Sequence, residues 1–174
     1  TKEDHIILKE YCRKKGIIFM STAHSNEWSV DLLEEINVPA HKIASGDITN
    51  FPFLEYIAKK QKPLILSTGM SNLDEVKEAV DLIKKTGNND LIALHCTTSY
   101  PCSFQDSNLR AMLTIRDVCN VLIGYSDHTT GIEVAVAAVA LGAKVIEKHF
   151  TFDKNLPGPD HKASLEPNEL KSMI

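Results

Sequence analysis

Residues 121–149, VLIGYSDHTTGIEVAVAAVALGAKVIEKH, decide the fold. An apolar run (121–123) enters the polar cluster Ser126-Asp127-His128. An Ala- and Val-rich stretch (130–141) follows and stops at Gly142, and a second apolar run (145–146) enters Glu147-Lys148-His149. Short, continuously apolar runs suit strands buried on both faces of a parallel sheet. The Ala/Val stretch suits a tightly packed helix that carries the chain back to the start of the next strand. The unit is strand–helix–strand, with a polar cluster at the carboxyl end of each strand.

Working outward, the same unit recurs. Apolar runs at 17–20, 42–44, 64–66 and 91–94 lead into Ser21-Thr22-Ala23-His24, Ser45-Gly46-Asp47, Ser67-Thr68-Gly69 and Cys96-Thr97-Thr98-Ser99-Tyr100. The runs start about 20 to 30 residues apart, the period of one β/α unit. Helical stretches are read at 30–36, at 51–60 with Pro52 in the first turn, and after Ser71-Asn72-Leu73-Asp74, which resembles a capping box. This last helix is the clearest, with Val76, Ala79, Val80 and Ile83 three or four apart, and Gly87-Asn88-Asn89 ends it. Residues 1–15 and 164–174 also read as helical, and 153–159, with two prolines and a glycine, as a loop on the histidine face.

Six sequential units suit a doubly wound sheet or a barrel. No GxGxxG loop follows the first strand, which weakens the dinucleotide-binding alternative. An eight-stranded barrel takes about 250 residues, so 174 residues and six units leave it two units short.

Composition sets the outer bounds. The length suits one domain with a substantial core, and the hydrophobic fraction of 43% is that of an ordinary globular protein. The formal net charge is -4 without an extended basic run, which argues against nucleic acid; Lys14, Lys15, Lys59, Lys60, Lys84 and Lys85 read as solvated helix faces. No apolar stretch is long enough to span a membrane, and no signal peptide is read at the start. Cys12, Cys96, Cys102 and Cys119 have no CxxC spacing, so reduced thiols in a cytoplasmic protein are expected rather than zinc.

Polar residues at the carboxyl ends of parallel strands are where barrel and open-sheet enzymes build their sites. His128 and His149 follow Ser126 and Glu147 by two positions, which puts each pair on one face of its strand. On neighbouring strands about 4.8 Å apart, both imidazoles reach one divalent ion and leave open positions for oxygen ligands. Lys42, Ser45 and Asp47 surround a strand end whose Gly46 allows close approach of an oxyanion; the competing reading is a surface lysine and a turn. Thr22, Thr97, Thr98 and Ser126 add hydroxyl donors to the rim, although hydroxyls also satisfy strand-end backbone groups. Tyr100 offers a phenol for a polar ligand or for packing. Asp160, in Gly158-Pro159-Asp160-His161, offers a carboxylate for sugar hydroxyls or serves only the turn. His24, His41, His95 and His161 carry no matching pattern and are read as surface or supporting residues.

Lys42-Ile43-Ala44-Ser45-Gly46-Asp47 and Leu66-Ser67-Thr68-Gly69-Met70 resemble the sialic acid synthase family. So do Leu94-His95-Cys96-Thr97, Ser99-Tyr100-Pro101, Gly124-Tyr125-Ser126-Asp127-His128-Thr129, Glu147-Lys148-His149-Phe150-Thr151 and Gly158-Pro159-Asp160-His161. The resemblance covers nearly the whole chain in order. It implies a TIM barrel that condenses phosphoenolpyruvate with the open-chain aldehyde of N-acetylmannosamine or a related amino sugar, releasing phosphate by C–O cleavage.

The resemblance makes His128 and His149 the ligands of a divalent metal, manganese with magnesium or cobalt as alternatives. Thr22, Lys42, Ser45 and Ser126 match positions that hold phosphoenolpyruvate; Tyr100, Asp160 and Asp47 match positions that face the sugar. Asp47 stands where some members carry Glu, and Thr98 where some carry Asn or Ser. Glu147 is expected to orient the site or manage a proton. The family's carboxy-terminal antifreeze-like domain and its first two β/α units are not matched. The expectation is therefore a partial TIM (β/α)8 barrel over residues 1–174, an internal fragment inactive alone, whose full-length parent is a homodimer. The alternatives are another metal-dependent phosphoenolpyruvate-condensing or aldol barrel, and a non-catalytic sugar-binding barrel fragment.

Overall fold

Each apolar run from residue 41 onward forms a parallel strand. The computed structural model describes all 174 residues. β1 (His41–Ile43), β2 (Leu64–Ser67), β3 (Leu91–Cys96), β4 (Leu122–Asp127) and β5 (Ile146–Lys148) lie side by side in chain order. A doubly wound sheet reverses its strand order at a switch point; this sheet does not, so every crossover winds the same way. The helices accordingly share one face: α2 (Glu27–Glu35), α3 (Phe51–Ala58), α4 (Leu73–Lys85) and α5 (Arg110–Cys119) pack each on the next, and α6 (Glu133–Ala140) packs on β4 and β5.

The sheet curls. Lys42 Nζ on β1 lies 3.4 Å from Glu147 Oε2 on β5, at the opposite edge. Four interstrand steps in a flat sheet would separate those strands by about 19 Å. Only a half-barrel brings the two side chains together over its concave face.

The expected sixth strand is not formed. Residues 17–20 are joined to the sheet only beyond their end, by a bridge between Thr22 and Lys42. That register sets 17–20 opposite 37–40, where the chain turns at Asn37 (φ 53) and carries Pro39, which has no N–H to give. Ile17 and Ile18 remain 61% and 78% exposed. The expectation that both sheet faces are buried also holds only in part. The helix side is closed by Ile43, Leu64, Leu66, Leu91 and Ala93 against Val30, Leu33, Ile57, Val80 and Ile83. The concave side opens at its amino end into a groove of about 720 Å³ lined in part by Ile65, Ile92 and Leu122. A second apolar cluster, Met112, Ile123, Tyr125, Val134 and Ala138, seals β4 against α5 and α6.

Local chemistry sets the helix limits. The capping box of α4 stands one residue later than read: Asn72 accepts from the Asp74 and Glu75 N–H groups, and Glu75 accepts from Asn72 N. Its buried face is Val76, Ala79, Val80 and Ile83, as the spacing predicts. α6 begins at Glu133 rather than 130 because Gly131 (φ 74) turns the chain first. It is packed on one side only, Val136 and Val139 on its outer face being exposed. α5 was not marked by the sequence, since its cap, Leu109, offers no side-chain acceptor and a left-handed Asn108 precedes it. α1 (Lys2–Lys15) buries no residue, and α7 (Pro167–Met173) starts at its proline. Gly124 is required on β4, where a Cβ would stand 2.4 Å from the Val145 carbonyl oxygen and 2.5 Å from Leu94 Cδ2. No helix is long and apolar enough to cross a membrane.

His41 was read as a surface or supporting residue and is instead part of the core. It is completely buried on the helix side of β1, its Nε2–H donates to Glu34 at 2.7 Å, and its Nδ1 has no partner. The bare nitrogen holds the lone pair, because an N–H there would be buried without an acceptor. Burial pushes the imidazole pKa down, and it does the same to His95, whose ring faces the Ser107 carbonyl at 3.0 Å. Below the unfolded histidine pKa of about 6.5, the unfolded chain therefore binds more protons than the folded one. Stability from these groups is complete above that pH and is lost as pH falls through the folded values. Urea midpoints should be flat from pH 8 to 7 and decline from about pH 6.5 downward, with part of the decline removed by His41→Gln. Midpoints that stay level to pH 5 would contradict the neutral, buried assignment.

Candidate active site

The polar clusters converge where the strands end. β4 and β5 pair with Ser126 opposite Glu147 and Asp127 opposite Lys148. The two-residue period then places Ser126, His128, Glu147 and His149 over the concave face and sends Asp127 and Lys148 to the helix side. The His128 and His149 rings stand 5.4 Å apart, centre to centre, and the Tyr100 ring lies 4.1 Å from the first and 5.6 Å from the second. With Lys42, Ser45, Thr98 and Glu147 they line one cavity of about 240 Å³.

The two rings are held differently. His128 Nδ1 lies 2.8 Å from the Thr97 carbonyl, which only an Nδ1–H can satisfy, so its lone pair sits on Nε2, beside Ser126 Oγ at 3.5 Å. Burial pushes the His128 pKa down, which keeps the ring neutral. His149 Nδ1 is 3.8 Å from Asp160 Oδ2, on the exposed 153–160 loop. No group of three or more His, Cys, Asp and Glu residues is gathered closely enough to hold an ion. Two neighbouring imidazoles are a donor pair that a divalent ion would have to complete with water or substrate oxygens.

The opposite wall is cationic. Lys42 Nζ donates to Ser67 Oγ at 2.8 Å and to the Ile43 carbonyl at 3.2 Å, facing Glu147, while Ser126 Oγ donates to Glu147 Oε1 at 2.7 Å. Ser45 Oγ accepts from Gly69 N at 3.1 Å and lies 3.3 Å from Cys96 Sγ. A Cβ on Gly69 would come within 2.6 Å of Thr98 Oγ1 and 2.9 Å of both Ser45 Oγ and Cys96 Sγ. Only glycine lets the β2 end close against its neighbours here. Ser67, Gly69 and Cys96 were assigned no role from sequence. Their place at strand ends, the same signal that marked Ser45 and Ser126, was available for them.

Other expected residues stand apart. Asp47 does not reach the cavity: in the 3₁₀ turn Ser45–Asp47, at about 120° per residue, it points away from Ser45. It is buried, accepting from Ser25 Oγ and lying 3.2 Å from His24 Nδ1, and so holds the neighbouring loop. Thr22 touches the site only through its backbone bridge to Lys42. Asp160 borders His149 from the loop, and His161 is bonded to Thr151 Oγ1 at 2.8 Å.

The family model described as NeuB matches residues 1–174. N,N'-diacetyllegionaminic acid synthase of Legionella pneumophila is 51% identical over 178 residues, covering all of this chain and 50% of that protein. Human N-acetylneuraminate-9-phosphate synthase is 44% identical over 168 residues, covering 96% of this chain and 46% of that protein. Among solved structures, the sialic acid synthetase of Leptospira borgpetersenii, in complex with citrate, superposes with a TM-score of 0.94 at 42% identity. It covers 99% of this chain, which covers 60% of it. The chain thus spans about half the length of the curated relatives it matches. With every residue under the family model, and with the motifs on which the site is built falling within it, the chain belongs to the NeuB family.

Proposed function

We propose that the protein condenses phosphoenolpyruvate with the open-chain aldehyde of a 2-acetamido sugar to give a nonulosonic acid and phosphate. The observation that carries this is the meeting, in one cavity, of a lysine with hydroxyl donors on one side and two histidines on the other. Membership of a family whose relatives are legionaminic and neuraminic acid synthases supports the same reading.

Lys42, with Ser45, Ser67 and Ser126 around it, holds the phosphate and carboxylate of phosphoenolpyruvate and aligns its C3. His128 and His149 hold a divalent ion, manganese in first place and magnesium or cobalt as substitutes. Bound there, the ion supplies Lewis-acid polarisation of an aldehyde oxygen. Tyr100, Thr98 and Asp160 face the sugar. Glu147 fixes Lys42 and Ser126 and stands ready to take a proton. C3 attacks the aldehyde carbon, water adds at C2, and the tetrahedral intermediate expels phosphate with the bridging oxygen.

The chain furnishes six of the eight β/α units of a TIM barrel, the 17–20 run becoming the sixth strand once its free side is paired. The superposition of nearly the whole chain on the Leptospira synthetase, at a TM-score of 0.94, supports the partial-barrel reading. The whole protein works as a cytoplasmic homodimer completed by a carboxy-terminal antifreeze-like domain. The test is the full-length protein with manganese, N-acetylmannosamine and related 2-acetamido sugars, and phosphoenolpyruvate carrying 18O in the C–O–P bridge. Phosphate release that retains the label, with the matching nine-carbon acid by mass, is expected. Unlabelled phosphate, or no release with any sugar, overturns the assignment.

A further inference from the structure

Asp127 and Lys148 form an ion pair at 2.8 Å in which both side chains are almost fully buried (0% and 3% exposed), on the helix side of β4 and β5. Each is the chain neighbour of one cavity histidine. Asp127 also accepts from the N–H and hydroxyl of Thr129, and Lys148 Nζ donates to the Thr129 carbonyl. Both strands end at this pair, so the histidines lie one residue beyond the last rung of the ladder. There the backbone is no longer held by strand-to-strand hydrogen bonds, and the carbonyls of His128 and His149 accept instead from Cys102 N and Leu165 N, on two separate loops.

Burying an ion pair is costly to desolvate and rarely the cheapest way to stabilise a fold. Its use at the one point where two strands would splay ahead of two ligands has a geometric reason. We propose that Asp127 and Lys148 are positioning residues for the histidine pair: a clamp on the far side of the sheet that sets the spacing of the His128 and His149 rings on the near side. The proposal rests on the reading of both histidines as ligands of one ion.

The test uses the protein with ring-15N histidine, its signals assigned through His128→Gln and His149→Gln. The neutral replacement Asp127→Asn/Lys148→Met removes both charges and keeps an acceptor for Thr129. Expected are displaced ring resonances for His128 and His149 without metal, unchanged circular dichroism, and a manganese dissociation constant raised at least about 10-fold, as for loss of an outer-shell partner. Wild-type resonances in the folded double variant overturn the clamp. Asp127→Glu, which keeps the charge and lengthens the link by one methylene, decides the matter if the double variant does not fold. It moves the same resonances if the pair sets the spacing and leaves them in place if it does not. Rings that move in a protein whose wild type binds no manganese leave the clamp standing and remove the ion from the proposed function.

Discussion

His128→Ala and His149→Ala are each expected to abolish divalent-ion binding and, with it, turnover in the full-length protein. The expectation follows from the count of ligands. With His128 and His149 the two imidazoles lining the cavity, removing one leaves a single imidazole, which does not select an ion from solvent. The loss in affinity should exceed about 100-fold, the upper range for losing a mere outer-shell partner. The two variants differ in a useful way. His128→Ala also leaves the Thr97 carbonyl without its 2.8 Å donor and opens space beside Tyr100, so some loss of stability accompanies it. His149, whose nearest charged neighbour is Asp160 at 3.8 Å, should lose binding with little change in melting temperature. Manganese titration followed by electron paramagnetic resonance measures both, with His161→Ala, a histidine bonded to Thr151 and outside the cavity, as the control. Wild-type affinity in either variant would remove the two-histidine site.

Much of this arrangement was legible in the sequence, because strand ends and period-two spacing are local facts. The pairing of Ser126 with Glu147 and the approach of His128 to His149 follow from two equal clusters on adjacent strands. What was not legible depends on partners distant in the chain. The strand at 17–20 failed because its register meets Pro39, and Asp47 turned away because a 3₁₀ turn, not a strand, carries it. The core place of His41 could not be read from its neighbours, since its acceptor, Glu34, lies on the preceding helix. The Asp127–Lys148 pair was hidden for the opposite reason. Within SDH and EKH the histidines draw attention, while the residues beside them face the other side of the sheet, where a charge has no evident use until its partner is seen.

Lys42→Ala should weaken phosphoenolpyruvate far more than the sugar. A charged hydrogen bond to the substrate is worth about 1.5–3 kcal/mol, so the KM for phosphoenolpyruvate should rise about 10- to 150-fold. The structure adds a complication, since Lys42 is already bonded to Ser67 and faces Glu147 at 3.4 Å. Without the ammonium group, Glu147 is left as a bare carboxylate against an anionic substrate, and its repulsion is counted in the single variant. Lys42→Ala/Glu147→Gln separates the two effects. If part of the loss is repulsion, the double variant binds phosphoenolpyruvate better than Lys42→Ala alone, a non-additivity expected of residues in contact. Lys42→Arg should not restore binding, because a planar guanidinium does not fit the space between Ser67 Oγ and the Ile43 carbonyl that a point-like ammonium fills. An unchanged KM for phosphoenolpyruvate in Lys42→Ala would make Lys42 a structural tie between β1, β2 and β5, and the anion site would have to be sought elsewhere on the rim.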